Sequence, residues 1–241
     1  MSTPLIRIGH AYGNTRHAID FAREGGIDSI EADLWYRDGS IYVRHDRRLS
    51  PLPLLADRKM RGHPLPPYSI RLIRGYYVRP DINPLKLPEL LERTEAGPRL
   101  LLDVKGVDDD EYARRFAKLL ATQIRGASAV DHVEVCGQLW PVLTRLGAEA
   151  PEIHRRFSIE RPQQWSEFAQ MTKRQGKAHN VCIEYRFLND EKLTFLKKHG
   201  SSVYAWTVDQ PTAAQALIER GVDGIISNNL HLLSSIAATT S

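Results

Sequence analysis

Two histidines, three carboxylates and a lysine fall at equivalent places along this chain. Ile8-Gly9-His10, Ile30-Glu31-Ala32-Asp33, Arg44-His45-Asp46, Leu102-Asp103-Val104-Lys105 and Ala205-Trp206-Thr207-Val208-Asp209 each close an apolar, β-branched run of strand length. Neighbouring parallel strands would bring those side chains together at one end of the sheet. The chemistry that suits such a group is metal-assisted cleavage of a phosphodiester, with carboxylates for the cation and imidazoles for proton transfer.

Glu31 and Asp33 are two positions apart, so on a strand both point to one face and can hold a single cation. Asp103 and Lys105 repeat that spacing on a later strand. Glu31, Asp33 and Asp103 together favour one hard divalent ion, Mg²⁺ or Ca²⁺, over zinc, because no cysteine or histidine cluster accompanies them. The competing structural account is an ion-paired strand end, with Glu31 or Asp103 bonded to Lys105. His10 and His45 flank the acidic set, and imidazole takes or gives a proton near neutral pH. They form the expected catalytic pair, one as base or nucleophile and one as acid, in an order the sequence leaves open. His17, His63, His132, His154, His179, His199 and His231 fall on helices, in a Pro-rich excursion or at strand starts, and are assigned no catalytic role.

The elements that must position these groups can be read from periodicity and punctuation. Residues 5–9 and 27–33 read as strands around a helix over 14–24, which Gly25-Gly26 stops. Asp38-Gly39 is the turn dipeptide of a tight hairpin joining 34–37 to 40–43, and His45 arrives at its end. Residues 46–86 carry seven prolines and little periodicity, which predicts an ordered excursion or a mobile loop. A short helix near 87–95 follows. Strands at 99–105, 132–137, 153–158, 180–184, 202–208 and 223–227 then alternate with helices near 108–126, 138–148, 162–174, 189–199, 211–220 and 229–238. Eight strand-helix units predict a single-domain TIM (β/α)8 barrel over residues 1–241, with the hairpin and the Pro/Arg-rich excursion after the second strand.

Composition bounds the partners. With 42% hydrophobic and 26% charged residues, the 241-residue chain has globular proportions. Its net charge is only +4, yet Arg44, Arg47, Arg48, Arg58, Lys59, Arg61, Arg71, Arg74 and Arg79 crowd one stretch. They read either as solvated arginines or as a collar for an anionic substrate or an anionic membrane surface; nucleic acid is not expected. Cys136 and Cys182 lie inside apolar runs without metal-ligand spacing and read as buried, inert thiols. No signal-like N-terminus or spanning apolar segment is evident, so a cytoplasmic location is expected.

The order His10, Glu31-x-Asp33, His45-Asp46, Asp103-x-Lys105 and Val203-Tyr204-Ala205-Trp206-Thr207-Val208, followed by Gly221-Val222-Asp223-Gly224-Ile225-Ile226, resembles the glycerophosphodiester phosphodiesterase superfamily over nearly the whole chain. The resemblance implies a TIM barrel that hydrolyses small-molecule or lipid glycerophosphodiesters to an alcohol and glycerol 3-phosphate, using one divalent ion and a histidine pair. Three places depart from the main family pattern. Its usual His-Arg-Gly is His10-Ala11-Tyr12 here, without the phosphate-binding arginine; its Glu-x-Lys is Asp103-x-Lys105; and its Thr-Asp is Ser227-Asn228. These features resemble the sphingomyelinase D and phospholipase D branch, in which Lys105, Trp206, Asp209 and Asn228 would bind substrate and phosphate. That branch yields a cyclic phosphate, which stands as an alternative; a catalytically impaired barrel binding phospho-ligands is another. The structural account of Trp206 is barrel packing, and that of Asp209 and Asn228 is helix capping.

Overall fold

A parallel strand in a barrel is covered on both faces, so its sequence is a near-continuous apolar run. The runs in this chain form such strands in a computed structural model that describes residues 4–45, 48–49, 54–58, 65, 68–73, 76–80, 85–176 and 179–239. Strands β1 (Ile6–Gly9) and β2 (Ser29–Arg37) precede β3 (Ser40–Val43), β4 (Arg48–Leu49), β5 (Leu54–Arg58), β6 (Ile70–Arg71) and β7 (Tyr76–Pro80). They are followed by β8 (Arg99–Lys105), β9 (Val133–Gly137), β10 (His154–Ile159), β11 (Asn180–Glu184), β12 (Val203–Trp206) and β13 (Gly224–Ser227).

The parallel order β1-β13-β12-β11-β10-β9-β8-β2 closes on itself through a β1–β2 pairing at Ile8↔Ser29 and Gly9↔Ile30. Among the described residues eight helices surround this barrel: α1 (Arg16–Glu24), α2 (Leu87–Thr94), α3 (Asp110–Gly126), α4 (Trp140–Glu149), α5 (Pro162–Gln175), α6 (Asp190–Lys198), α7 (Pro211–Glu219) and α8 (Leu230–Thr239). The fold is the expected TIM barrel. Thr15, Asp109 and Asn189 cap α1, α3 and α6 by accepting backbone N–H bonds at 3.1, 2.7 and 3.0 Å. Such caps are worth about 1 kcal/mol each.

Boundaries moved where local geometry overrode the apolar pattern. β2 does not end at Asp33 but runs on to Arg37 as one arm of the hairpin, pairing Leu34↔Val43 through Arg37↔Ser40. Asp38 and Gly39 both have positive φ, 48° and 71°, as a two-residue hairpin turn requires. α1 starts at Arg16 rather than at residue 14, because residues Tyr12–Asn14 form a separate 3-10 turn. β12 stops at Trp206, after which Val208 donates to the Ile226 carbonyl at 2.9 Å. Within the excursion, the described residues form a four-stranded antiparallel sheet in the order β4-β5-β7-β6, which short strands and prolines concealed in the sequence. Among the described residues no helix is long and apolar enough to cross a membrane.

Candidate active site

The acidic set is held from behind by the turn that follows β1. Ala11 adopts a left-handed conformation, φ 59°, unusual for a residue with a Cβ. In that conformation its N–H reaches Glu31 Oε2 at 2.6 Å. Three residues on, Asn14 Nδ2 donates to Asp33 Oδ2 at 2.6 Å and Asn14 Oδ1 accepts from Asp33 N–H at 2.8 Å. Gly13 makes this turn possible: a Cβ there would stand 2.5 Å from Ala32 Cβ. Asp33 and Asp103 are register partners on β2 and β8, and Glu31 lies one inward-facing position below.

Glu31, Asp33 and Asp103 each present an oxygen within 4.8 Å of the others. Glu31 Oε1 and Asp103 Oδ1 are buried and have no hydrogen-bond partner among the described residues. Buried carboxylate oxygens left without donors are a poor arrangement for a metal-free protein and a good one for a hard cation. Lys105 Nζ lies 2.9 Å from Asp33 Oδ1 and also bonds Asp103. The ion-paired strand end therefore exists, but Lys105 pairs with Asp33 and Asp103 and leaves an oxygen of Glu31 and of Asp103 uncommitted.

His10 has a defined orientation. Its Nδ1 lies 2.9 Å from Asn228 Oδ1, and Asn228 in turn donates both its backbone N–H and its Nδ2 to Asp209 at 2.9 Å. An Asp209 carboxylate can only accept, so the amide turns its Nδ2 to Asp209 and its Oδ1 to His10, which must then carry its proton on Nδ1. The other ring nitrogen, Nε2, faces the acidic set, 3.9 Å from Glu31 Oε2. His10, Glu31, Asp103, Lys105, Trp206 and the exposed His45 line one cavity of about 230 Å³, with Cys136 and Cys182 among its walls. Below Cys136 and Trp206, Glu134 and Tyr204 close the barrel interior, bonded at 2.9 Å, with the Arg156 guanidinium over the Tyr204 ring.

Electrostatics follow from burial and from this crowding. Burial, then repulsion from Asp33 and Asp103, holds the Glu31 carboxyl well above its ordinary range. Burial would also raise Asp33, but the Lys105 ammonium, His45 and the Asn14 bond pull it below its ordinary value. Asp103 is raised by burial and by Asp33, against the opposing pull of Lys105. Burial would lower Lys105, yet Asp103, Asp33 and Glu31 outweigh it and hold the ammonium well above its ordinary value. For His10, burial dominates the attraction of Asp33 and lowers the imidazole, which favours a neutral ring at neutral pH.

Every candidate from the sequence is accounted for by place. His10, His45, Glu31, Asp103, Lys105 and Trp206 share the cavity, and Asp33 sits behind it on Asn14 and Lys105. The Trp206 indole N–H is buried and has no hydrogen-bond partner among the described residues. Asp209 and Asn228, expected on the substrate, bond each other and His10. Neither acts as a helix cap: Asn229 caps the last helix through Leu232 N–H at 3.3 Å, and Asp209 accepts from Ser227 Oγ at 2.9 Å. Cys136 and Cys182 are buried as expected, but as cavity wall rather than remote core. Of the clustered basic residues, Arg44 and Arg79 are buried and Arg71 is exposed; Arg47, Lys59, Arg61 and Arg74 lie outside the described residues. Asn14, the Ala11 N–H, Gln138, Ser158 and Glu160 also belong to the site or its walls, and no sequence motif marked them.

A TIM barrel with an acidic set, a lysine and two imidazoles at the C-terminal ends of its strands has the equipment of a phosphoric diester hydrolase, and comparison with known proteins gives the same class. The model of the glycerophosphoryl diester phosphodiesterase family matches residues 8–232, and the chain belongs to that family. The Bacillus subtilis (strain 168) protein named "Putative glycerophosphodiester phosphodiesterase YhdW" is 26% identical over 234 residues, covering 91% of this chain and 90% of that one. The crystal structure named "Putative glycerophosphoryl diester phosphodiesterase" from Silicibacter pomeroyi superposes with a TM-score of 0.77 at 20% identity, over 99% of this chain and 94% of that one. An Oleispira antarctica phosphodiesterase solved in complex with the product sn-glycerol-3-phosphate superposes with a TM-score of 0.69 at 18% identity, over 98% and 97% of the two chains. At these identities the two structures speak for the fold alone.

Proposed function

We propose that this chain, acting as one domain over residues 1–241, hydrolyses a glycerophosphodiester to an alcohol and sn-glycerol 3-phosphate in a reaction that requires one divalent ion, Mg²⁺ or Ca²⁺. The observation that carries the reading is the pair of buried, donor-less oxygens on Glu31 and Asp103, beside an imidazole nitrogen left without its proton. Glu31, Asp33 and Asp103 would hold the ion. A divalent cation bound there supplies positive charge for the non-bridging phosphate oxygens as negative charge develops on them.

The remaining work falls to the chain. His10 Nε2, deprotonated because Nδ1 carries the proton, attacks phosphorus or takes the proton of the attacking water. His45 opens to the cavity and gives a proton to the departing alcohol oxygen. Lys105 keeps its ammonium at the strand ends and adds positive charge near the phosphate in a site without the usual arginine, while the Trp206 ring forms part of the wall that meets the substrate. Asp209 and Asn228 position His10.

Phosphorus NMR of reactions with glycerophosphocholine and lysophosphatidylcholine, with and without chelator, tests this reading. Glycerol 3-phosphate should form from glycerophosphocholine with metal and should not form with chelator. Sustained turnover in excess chelator removes the metal, a cyclic phosphate as the end product replaces hydrolysis with intramolecular transfer, and no turnover of any phosphodiester leaves a binding protein.

A further inference from the structure

Most of the large apolar side chains that this protein leaves in water lie together. Tyr68, Ile70, Leu72, Ile73 and Tyr76 are 90, 66, 47, 83 and 45% exposed, and outside this stretch only Phe21 and Val107 belong to the same class among the described residues. All five belong to the hairpin of β6 and β7 and its approach. Ile70↔Val78 and Arg71↔Tyr77 pair across it, and Leu72 N–H donates to the Tyr76 carbonyl at 2.7 Å to close its turn. Among the described residues β6 is the outer strand of the small sheet, and the hairpin has no sheet neighbour on that side. Scattered exposed apolar residues need no explanation, but a contiguous group does.

The charge around this patch identifies what would cover it. Arg71 is exposed within the hairpin. Residues 46–86 hold nine Lys and Arg against three Asp and Glu, a surplus of six in a chain whose net charge is +4. The rest of the protein is therefore slightly acidic, and the positive charge is concentrated in the excursion. Exposed apolar side chains beside the Arg71 guanidinium, in a segment with a cationic surplus, match a phospholipid interface, where acyl chains take the apolar residues and anionic headgroups take the cationic ones. A second copy of the same patch would instead bring like charges together. The excursion is also tied to the site: it leaves the barrel directly after His45 and returns at Leu85, whose carbonyl accepts from Val43 N–H at 2.9 Å.

We propose that the β6–β7 hairpin is a membrane-docking element that inserts Ile70, Leu72, Ile73 and Tyr76 into an anionic lipid surface and so brings the catalytic mouth to amphiphilic, lysophospholipid-type phosphodiesters held there. The substrate part of this proposal rests on the phosphodiesterase reading; the docking part does not.

Full-length, metal-loaded protein is tested by co-sedimentation with vesicles of phosphatidylcholine alone and of phosphatidylcholine mixed with phosphatidylglycerol. Binding is expected to the mixed vesicles, to weaken with added salt, and to drop about ten-fold or more in Leu72→Ser/Ile73→Asp and in Arg71→Gln. Those variants should hydrolyse soluble glycerophosphocholine as the wild type does, yet lose a comparable factor on lysophosphatidylglycerol embedded in vesicles. A Tyr76→Trp protein should show quenching of its added indole by brominated lipid. Absence of vesicle binding by the wild type, unchanged binding in the tip variants, or a wild-type dimer that the tip substitutions dissociate overturns the proposal. If the wild type binds vesicles but cleaves no phosphodiester, the docking element stands and the phosphodiesterase reading fails.

Discussion

Asn228 Oδ1 stands 2.9 Å from His10 Nδ1, and Asp209 decides which end of the amide stands there. The arrangement works like a carboxylate that fixes a histidine tautomer, with an amide interposed. Asp209→Ala frees the amide to rotate and present Nδ2 to His10, which would move the ring proton to Nε2. Turnover is expected to fall about ten- to a hundred-fold with KM little changed, a loss within the range of positioned proton transfer. The Nδ1 and Nε2 signals of His10 in nitrogen NMR should exchange character. Unaltered histidine signals in a folded Asp209→Ala protein would remove Asp209 from this role.

The two imidazoles should fail separately. His10→Ala and His45→Ala are each expected to lower turnover by about 10² or more. Both should leave the folding transition close to that of the wild type, since His45 is exposed and His10 borders the cavity. Steady-state kinetics beside thermal unfolding check this. Near-normal activity in either well-folded variant takes that histidine out of the mechanism.

A cation held by Glu31 and Asp103, as proposed above, would compete there with protons. Both carboxyls are raised in the folded protein, so above the ordinary carboxylate range the metal-free native state keeps protons that the unfolded chain has lost. Stability of the chelated protein should therefore decline as pH rises from the ordinary carboxylate range towards the folded values. Asp33 acts in the opposite sense: its lowered value gives stability that is present above the unfolded value and lost as pH falls through the folded one. Saturating Mg²⁺ or Ca²⁺ should flatten the decline, because the cation replaces the protons. Melting temperatures of chelated and metal-loaded protein from about pH 5 to about pH 8 read this directly. Parallel curves would mean that no cation binds the carboxylates.

Asn14 makes both of its side-chain hydrogen bonds to Asp33 inside the protein. Asn14→Ala leaves a buried carboxylate oxygen and a buried N–H without partners, at a cost of about 1–3 kcal/mol. Urea unfolding should show that loss in the chelated protein, and calorimetric titration should show weaker metal binding because Asp33 is no longer held. An unchanged metal affinity would confine Asn14 to a purely architectural part.

The groups that could be found from sequence were those whose chemistry is written in spacing. Glu31-x-Asp33 and Asp103-x-Lys105 each place two charges on one face of a strand, so their convergence follows once the strands are parallel. The barrel was legible for the same reason, because strand and helix periods alternate plainly from Arg99 onward. Asn14 was hidden because its partner, Asp33, lies 19 positions away and the short turn that carries Asn14 begins at the left-handed backbone of Ala11. The N–H of Ala11 is a site element that any side chain could carry. Cys136 and Cys182 read as core because an apolar environment and a cavity wall leave the same pattern in sequence. The sheet in the excursion was masked by strands as short as Arg48–Leu49 and Ile70–Arg71, too brief to show a period.

The bond from His10 to Asn228 spans 218 positions, and β1 lies beside β13 from Ile6↔Gly224 to Gly9↔Ser227. On the ribosome, at about 5–20 residues per second, the first strand waits roughly ten to forty seconds for its neighbour to be synthesised. Through that interval the chain can assemble its acidic set from β2 and β8 but cannot fix the proton on His10. A nascent chain stalled before β13 would therefore have its three carboxylates in place while its imidazole stayed unoriented, so the onset of turnover would time the closing of the barrel.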